Sequence, residues 1–554
     1  MLVAIALAVA ACTGPTLPRS ITPAPSTTEP SASTEACAGP TASTPTTAWW
    51  GDHVFYEVFV RSFADSDGDG IGDLRGLTAH LDDLNDGDPV TSGDLGVTGL
   101  WLMPIAESPS YHGYDVVDYR AVESDYGTPA DLRALVLAAH ERGIAVILDL
   151  VINHTSRDHP WFQDARTPGS PHDAWYLWAD DHPGIARSDG SRVWHPDGDR
   201  FYYGYFWEGM PDLNLENPEV TAALDGIADF WLGEMGVDGF RIDAARHLIE
   251  DGRRLENADA TFDWLAGFRD RIKERHPDAL VLGEVWDASS MSARYIREGA
   301  LDLTFDFGLA GATIISLKSR DGGALRAAMT EVSELYRAGE LATFLTNHDQ
   351  NRLMTELGGD VEAAKLAAAL LLTGGGTPFV YYGEEIGLTG GKPDERIRTP
   401  MRWDTTAETA GFTTGQPWQS LGEDPAGTDV ATQTADPDSL YSTYRRLIAL
   451  RATHPALSVG GLAPVRSDEA TVVAFLRHAA DETILVVANL TDQPTSSVTL
   501  DLEAGPLCRV ASMEILHGTA DFVLPTVTAQ GGFDAYQPVP GLRPREVLVF
   551  GFGR

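Results

Sequence analysis

Four segments far apart in the chain each end a short apolar run with a carboxylate or a histidine. Asp149-Leu150-Val151-Ile152-Asn153 is followed by His154, and Gly239-Phe240-Arg241-Ile242 by Asp243. Gly283 is followed by Glu284, and Thr346-Asn347 by His348 and Asp349. One such carboxylate could be a solvated loop residue. Four strand ends of this kind from distant segments are what an enzyme needs if it builds its site where parallel strands end. Arg241 stands two residues before Asp243 and so shares its strand face. Its fixed positive charge there favours an ionised Asp243.

These segments need elements to position them. Eight short apolar runs recur in order: Val54–Val60, Gly99–Pro104, Ala145–Asn153, Gly239–Asp243, Leu280–Val285, Leu301–Phe305, Thr343–Asn347 and Pro378–Tyr382. Most are continuous rather than alternating, as strands buried on both faces are. Between them, Asp131–Gly143, Pro218–Met235, Asp263–Arg275 and Val361–Leu372 carry the apolar spacing of amphipathic helices. Eight strand-then-helix units predict an α/β fold, a (β/α)8 TIM barrel over residues 48–455. Residues 154–216, rich in Trp, Tyr, Asp, Gly and Pro, read as an insertion after the third strand. Such an insertion rises over the face where barrel active sites form. Thr471–Arg477, Thr483–Asn489, Ser497–Leu502 and Glu546–Phe550 predict a C-terminal all-β sandwich over 456–554.

The start of the chain is different. Residues 1–12 form a short apolar run closed by Val9-Ala10-Ala11-Cys12. It is too short to span a bilayer and resembles a bacterial lipoprotein signal, in which the cysteine is acylated. No Lys or Arg precedes the run. Residues 13–47, dominated by Thr, Ser, Pro and Ala, read as a flexible tether. The expected location is the outer surface of a bacterial membrane, held by a lipid anchor. Cys37 and Cys508 then remain, and a disulfide between them stays an open question. The net charge of −41 over 554 residues repels phosphate backbones, which argues against nucleic acid and for a neutral or cationic ligand.

Together, the strand-end segments resemble the signature regions of the α-amylase family of glycoside hydrolases, in order and in strand number. The likeness covers roughly residues 49–554. It implies Asp243 as the nucleophile, Glu284 as the general acid and Asp349 as a third carboxylate that binds the distorted sugar. His154 and His348 match the histidines that bond the sugar at the cleavage point. Tyr114, in His112-Gly113-Tyr114-Asp115, matches its stacking platform, and Asp115 a further contact. Met210-Pro211-Asp212-Leu213-Asn214 mixes forms seen in oligo-1,6-glucosidases and neopullulanases, as in a group of bacterial lipoprotein α-amylases. Arg246-His247 resembles the leaving-group contacts of endo-acting amylases, and Trp286 offers a sugar a stacking face there. The expected activity is hydrolysis of α-1,4 bonds in an α-glucan by a monomer. An α-glucosidase, a neopullulanase-like or transglycosylating enzyme, and a non-catalytic glucan-binding protein remain as alternatives.

Asp65-Ser66-Asp67-Gly68-Asp69-Gly70-Ile71-Gly72-Asp73 places oxygen ligands at alternate positions between turn glycines, which suits Ca²⁺. Gly76 stands where a helix–loop–helix calcium loop needs its bidentate Glu. The run resembles instead the calcium loop of oligo-1,6-glucosidase-like members, which implies Asp65, Asp67, Asp69, the Ile71 carbonyl and Asp73 as ligands. Asn153, Asp212 and the His247 carbonyl match a second family position, with a fourth ligand unassigned.

Overall fold

The computed structural model describes residues 48–88, 93–405, 408–507 and 510–553. Cys12, Cys37, Cys508, the signal and the tether lie outside the described residues. Eight parallel strands close a barrel. They are β1 (Phe55–Val58), β2 (Gly99–Leu102), β3 (Ala145–Leu150), β4 (Gly239–Ile242), β5 (Leu280–Gly283), β6 (Leu303–Phe305), β7 (Leu341–Thr343) and β8 (Thr377–Tyr381). Each pairs with the next, and β8 closes onto β1 through Phe55↔Phe379 and Tyr56↔Val380. Nearly every strand residue is buried, which explains the absence of polar alternation. Phe55, Trp101, Phe305, Phe344 and Phe379 fill the interior, with Phe55 and Phe379 stacked at 4.6 Å.

The seventh strand is the main departure inside the barrel. Thr343–Asn347 reads as a strand, but the ladder holds Leu341–Thr343. The neighbours explain this. On one side, β6 ends at Phe305 because Asp306 caps the next helix, accepting from Leu309 N–H. On the other, Thr343 faces Pro378, which has no N–H to offer. Phe344 to Asn347 therefore stay buried beyond the ladder and carry His348 and Asp349 to the mouth of the barrel.

The helices begin where caps dictate. Thr128 and Asp131 form a reciprocal capping box at Pro129–Glu141, and Asn217 and Asp360 cap Pro218–Asp229 and Val361–Thr373. The stretch read as one helix to Met235 changes to π-helical geometry at Phe230 and stops at Gly236, whose φ is 82°. The segment after β3 carries a three-stranded antiparallel sheet, with Trp178–Ala179 and Trp194–Asp197 flanking Arg200–Tyr203. Among the described residues no helix is long and apolar enough to cross a membrane.

The C-terminal region is an antiparallel sheet of seven strands around its own core of Leu476, Leu485, Leu500, Phe533 and Phe550. Gly461–Ser467 serves both halves of it, pairing with Val472–His478 along most of its length and with Leu500–Leu502 at its end. Gly461–Ser467, Ser512–His517 and Phe533–Tyr536 gave no strand signal in the sequence. Their burial is irregular, Phe533 and Tyr536 being buried around two exposed residues, so no period-2 pattern forms.

Candidate active site

A cavity of ≈ 480 Å³ opens at the C-terminal end of the barrel. Asp243, Glu284 and Asp349 line it, with Tyr114, His154, His247 and Arg246. Its rim carries exposed aromatic faces: Phe206 and Trp207 from the insertion, and Trp286 stacked on Phe307 at 4.6 Å and 10°.

Arg241 organises the floor. Its guanidinium is 1% exposed. Nη1 donates to Asp149 Oδ1 at 2.8 Å and to Asp243 Oδ1 at 2.6 Å, and Nη2 lies 2.9 Å from Glu284 Oε2. Ala244 N–H also donates to Glu284 Oε2, at 3.1 Å. One cation thus faces three carboxylates. Burial pushes Glu284 above its usual range; Arg241 opposes this, and Asp243 and Asp349 add to it. Burial also raises Asp243 against the pull of Arg241, and takes Asp149 to about 7. Asp349 is different. Burial would raise it, but His348 and Arg398 outweigh that and hold it well below the carboxylate range. The site therefore holds a readily ionised carboxylate beside others that retain protons more easily.

His348 Nε2 lies 2.6 Å from the Tyr114 hydroxyl, and the two rings stack at 5.6 Å and 15°. Tyr114 donates to Asp149 Oδ2 at 3.1 Å. His154 lowers to about 4 because burial disfavours its cation, and its Nε2 has no partner among the described residues. His247 stacks on Tyr205 at 4.0 Å and accepts from Arg246 Nε at 3.1 Å; burial and Arg246 lower it to about 3. Asp115 is placed differently from the expectation. It does not line the cavity. Its carboxylate accepts from the Ser108 and Ser110 hydroxyls, which hold the loop that presents Tyr114.

In the acidic loop, carboxylate oxygens of Asp65, Asp67 and Asp73 lie within 4.8 Å of one another. Gly68 and Gly70 take φ of 87° and 97°, so the chain can fold around Asp65, whose carboxylate accepts from the N–H groups of Asp67, Gly68 and Gly70. Asp69 lies outside this trio. It is exposed and accepts from Ile71 N–H. At the second position, Asn153 Oδ1 and Asp212 Oδ2 are buried without a partner among the described residues. Glu250 Oε1 is equally bare; burial raises Glu250 to about 7, and burial together with the Glu250 charge raises Asp212 well above its usual value.

Residues 57–460 match the family model of the α-amylase catalytic domain. The chain belongs to the α-amylase family of glycoside hydrolases. It is 39% identical to alpha-amylase 3 of Dictyoglomus thermophilum, over 80% of this chain and 85% of that one. It is 35% identical to a trehalose synthase of Thermus thermophilus, over 82% of this chain and 52% of that one. The crystal structure of an α-amylase from H. orenii superposes with a TM-score of 0.75 at 40% identity, over 90% of this chain and 99% of that one. The protein is thus an α-amylase-family glycoside hydrolase.

Three residues that bond to the site's side chains carry no role in the sequence motifs. Arg398 Nη2 donates to Asp349 Oδ1 at 3.0 Å, Asp149 receives Arg241, and Glu57 meets His348 Nδ1 at 2.5 Å. Glu57 and Asp149 carried a signal, each being the lone charge in an apolar barrel strand. Arg398 carried none, since Arg396 and Arg402 flank it in a loop without period.

Proposed function

We propose that the protein is an α-amylase that hydrolyses α-1,4-glucosidic bonds in starch and maltooligosaccharides with retention of configuration. The observation that carries this is Asp243, Glu284 and Asp349 lining one cavity, with the buried Arg241 beneath it bridging Asp243, Glu284 and Asp149. Asp243 attacks the anomeric carbon. Glu284, which burial pushes above its usual range, gives a proton to the leaving oxygen and then takes one from water. Asp349, ionised beside His348 and Arg398, accepts from sugar hydroxyls. His154 Nε2 and the Tyr114 ring complete the sugar's surroundings. Arg246, His247 and Trp286 line the leaving-group side, where an internal stretch of glucan would lie. Digestion of maltoheptaose should release a series of shorter maltooligosaccharides, appearing first as α-anomers. Glucose as the sole early product would overturn the endo assignment, and rearranged or longer glucosides would mark a transferase.

The same proposal assigns calcium to the acidic loop. The donor set fits: three carboxylates gather within 4.8 Å, and among the described residues none of them has an ion pair with a basic side chain. Asp65, Asp67 and Asp73 would hold the ion, which would offset their repulsion and stiffen the loop. At saturating calcium, a native-state ligand adds about 2–3 kcal/mol of stability. Chelation should therefore lower the melting temperature by several degrees. Asp67→Asn, which keeps the acceptor for Asp69 N–H and removes one charge, should lose most of that response. An unchanged melting temperature on chelation counts against the site. Asn153, Asp212 and Glu250 supply bare oxygens of the right type for a second ion.

A further inference from the structure

His348 is fully buried, and both of its ring nitrogens meet oxygen. Nδ1 lies 2.5 Å from Glu57 Oε1. Nε2 lies 2.6 Å from the Tyr114 hydroxyl and 3.2 Å from Asp349 Oδ2. The Tyr114 hydroxyl gives its own hydrogen to Asp149. With Asp149 ionised that oxygen accepts from Nε2, and the Asp349 carboxylate at 3.2 Å offers Nε2 a second acceptor. On the other side a carboxylate oxygen, Glu57 Oε1, is the partner of Nδ1 and takes a hydrogen from it. A ring with two N–H groups is a cation.

We infer that Glu57 is a positioning residue of the reaction, whose carboxylate fixes His348 as an imidazolium directed at Asp349 and Tyr114. The catalytic part of this inference rests on the proposed function; the charge on the ring does not.

Glu57 is the single charge in β1, Phe55-Tyr56-Glu57-Val58, and it is 2% exposed. A carboxylate in so apolar a strand is costly unless a cation meets it. His348 is that cation. Its surroundings are fixed from every side. Glu57 approaches from β1, and Trp101 of β2 packs its ring edge-on at 5.6 Å. Tyr114 comes from the loop after β2, with Asp149 of β3 behind it. Asp349 follows in the chain, and Arg398 Nε donates to the His348 carbonyl at 3.0 Å. Asp243, just past the end of β4, also feels the ring's charge. Burial pulls the ring down, but Asp349 and Glu57 outweigh it and take it up to about 10. The ring's charge in turn lowers Asp349 and Asp243. Without it, both would protonate at higher pH, and the acid limb of kcat/KM would move up.

Glu57→Gln tests this, because it keeps volume and an acceptor oxygen while removing the charge. With ¹⁵N-histidine-labelled protein, and His348→Asn to assign the signal, wild type should show two protonated ring nitrogens on His348 through pH 8. In Glu57→Gln the ring should lose its proton about one pH unit or more lower. The variant's kcat on maltoheptaose should fall about ten- to a hundredfold with KM little changed, and its acid limb should move to higher pH. A neutral His348 in the wild type at pH 7 would overturn the inference without any variant. The same titration in both proteins would overturn it as well. A shifted titration with unchanged kcat would remove the catalytic part. Wild type inactive on glucan would overturn the proposed function instead, and the ring titration would still decide what Glu57 does.

Discussion

Asp243→Asn is expected to fold as the wild type does and to lose turnover by about four or more orders of magnitude. The side chain sits at the end of β4, buried, with Arg241 Nη1 2.6 Å from Oδ1. Asparagine has the same shape and leaves an oxygen to accept from Arg241. Arg241 keeps its contacts with Asp149 and Glu284. The fold should therefore tolerate the change, and removing one of three carboxylates around a single cation relieves repulsion. The melting temperature should stay within a few degrees of wild type or rise. The chemistry should not tolerate it, because an amide oxygen cannot form the glycosyl ester. The measurement is turnover on maltoheptaose by a variant purified free of wild-type enzyme. Retention of more than a few per cent would remove Asp243 from the nucleophile's place and leave its bond to Arg241 as a structural ion pair.

The barrel was legible because its strands are buried on both faces, so each reads as a block of apolar residues closed by a polar one. The same feature misplaced β7. Phe344 to Asn347 are as buried as a strand, and only the ladder's neighbours, Asp306 and Pro378, decide where pairing stops. Carboxylates at strand ends were legible for the same reason, as polar residues that interrupt an apolar block. Asp115 shows the limit. Its neighbours in sequence suggest a sugar contact, but two serine hydroxyls within seven residues satisfy it first. Arg398 shows another. Its role depends on a loop after β8 folding back so that its guanidinium meets Asp349, and nothing in its own surroundings distinguishes it from Arg396. Glu250 was hidden because its relation to Asp212 joins the insertion to the segment after β4.

Glu284→Gln is expected to separate proton donation from nucleophilic attack. Burial raises Glu284, Arg241 opposes, and Asp243 and Asp349 add to the rise, so the acid form persists to higher pH than in a free glutamate. An acid must be protonated to act. Wild-type kcat/KM should therefore fall as pH rises through the Glu284 value, and fall again at low pH as Asp243 takes up a proton. Glutamine still accepts from Ala244 N–H and still meets Arg241, so the floor of the site persists. On maltoheptaose the variant should lose about two to four orders of magnitude of turnover. On α-glucosyl fluoride the outcome should differ, because fluoride leaves without a proton. Attack by Asp243 should proceed, its alkaline limb should vanish, and hydrolysis should stall for want of a base. The stalled species is a glucosyl ester on Asp243, visible as a hexose-sized mass increase on the peptide that contains that residue. Mass added elsewhere would move the nucleophile. Equal losses on both substrates, with no adduct, would show that Glu284 does not donate the proton and that the acid must be sought among the cavity's other carboxylates.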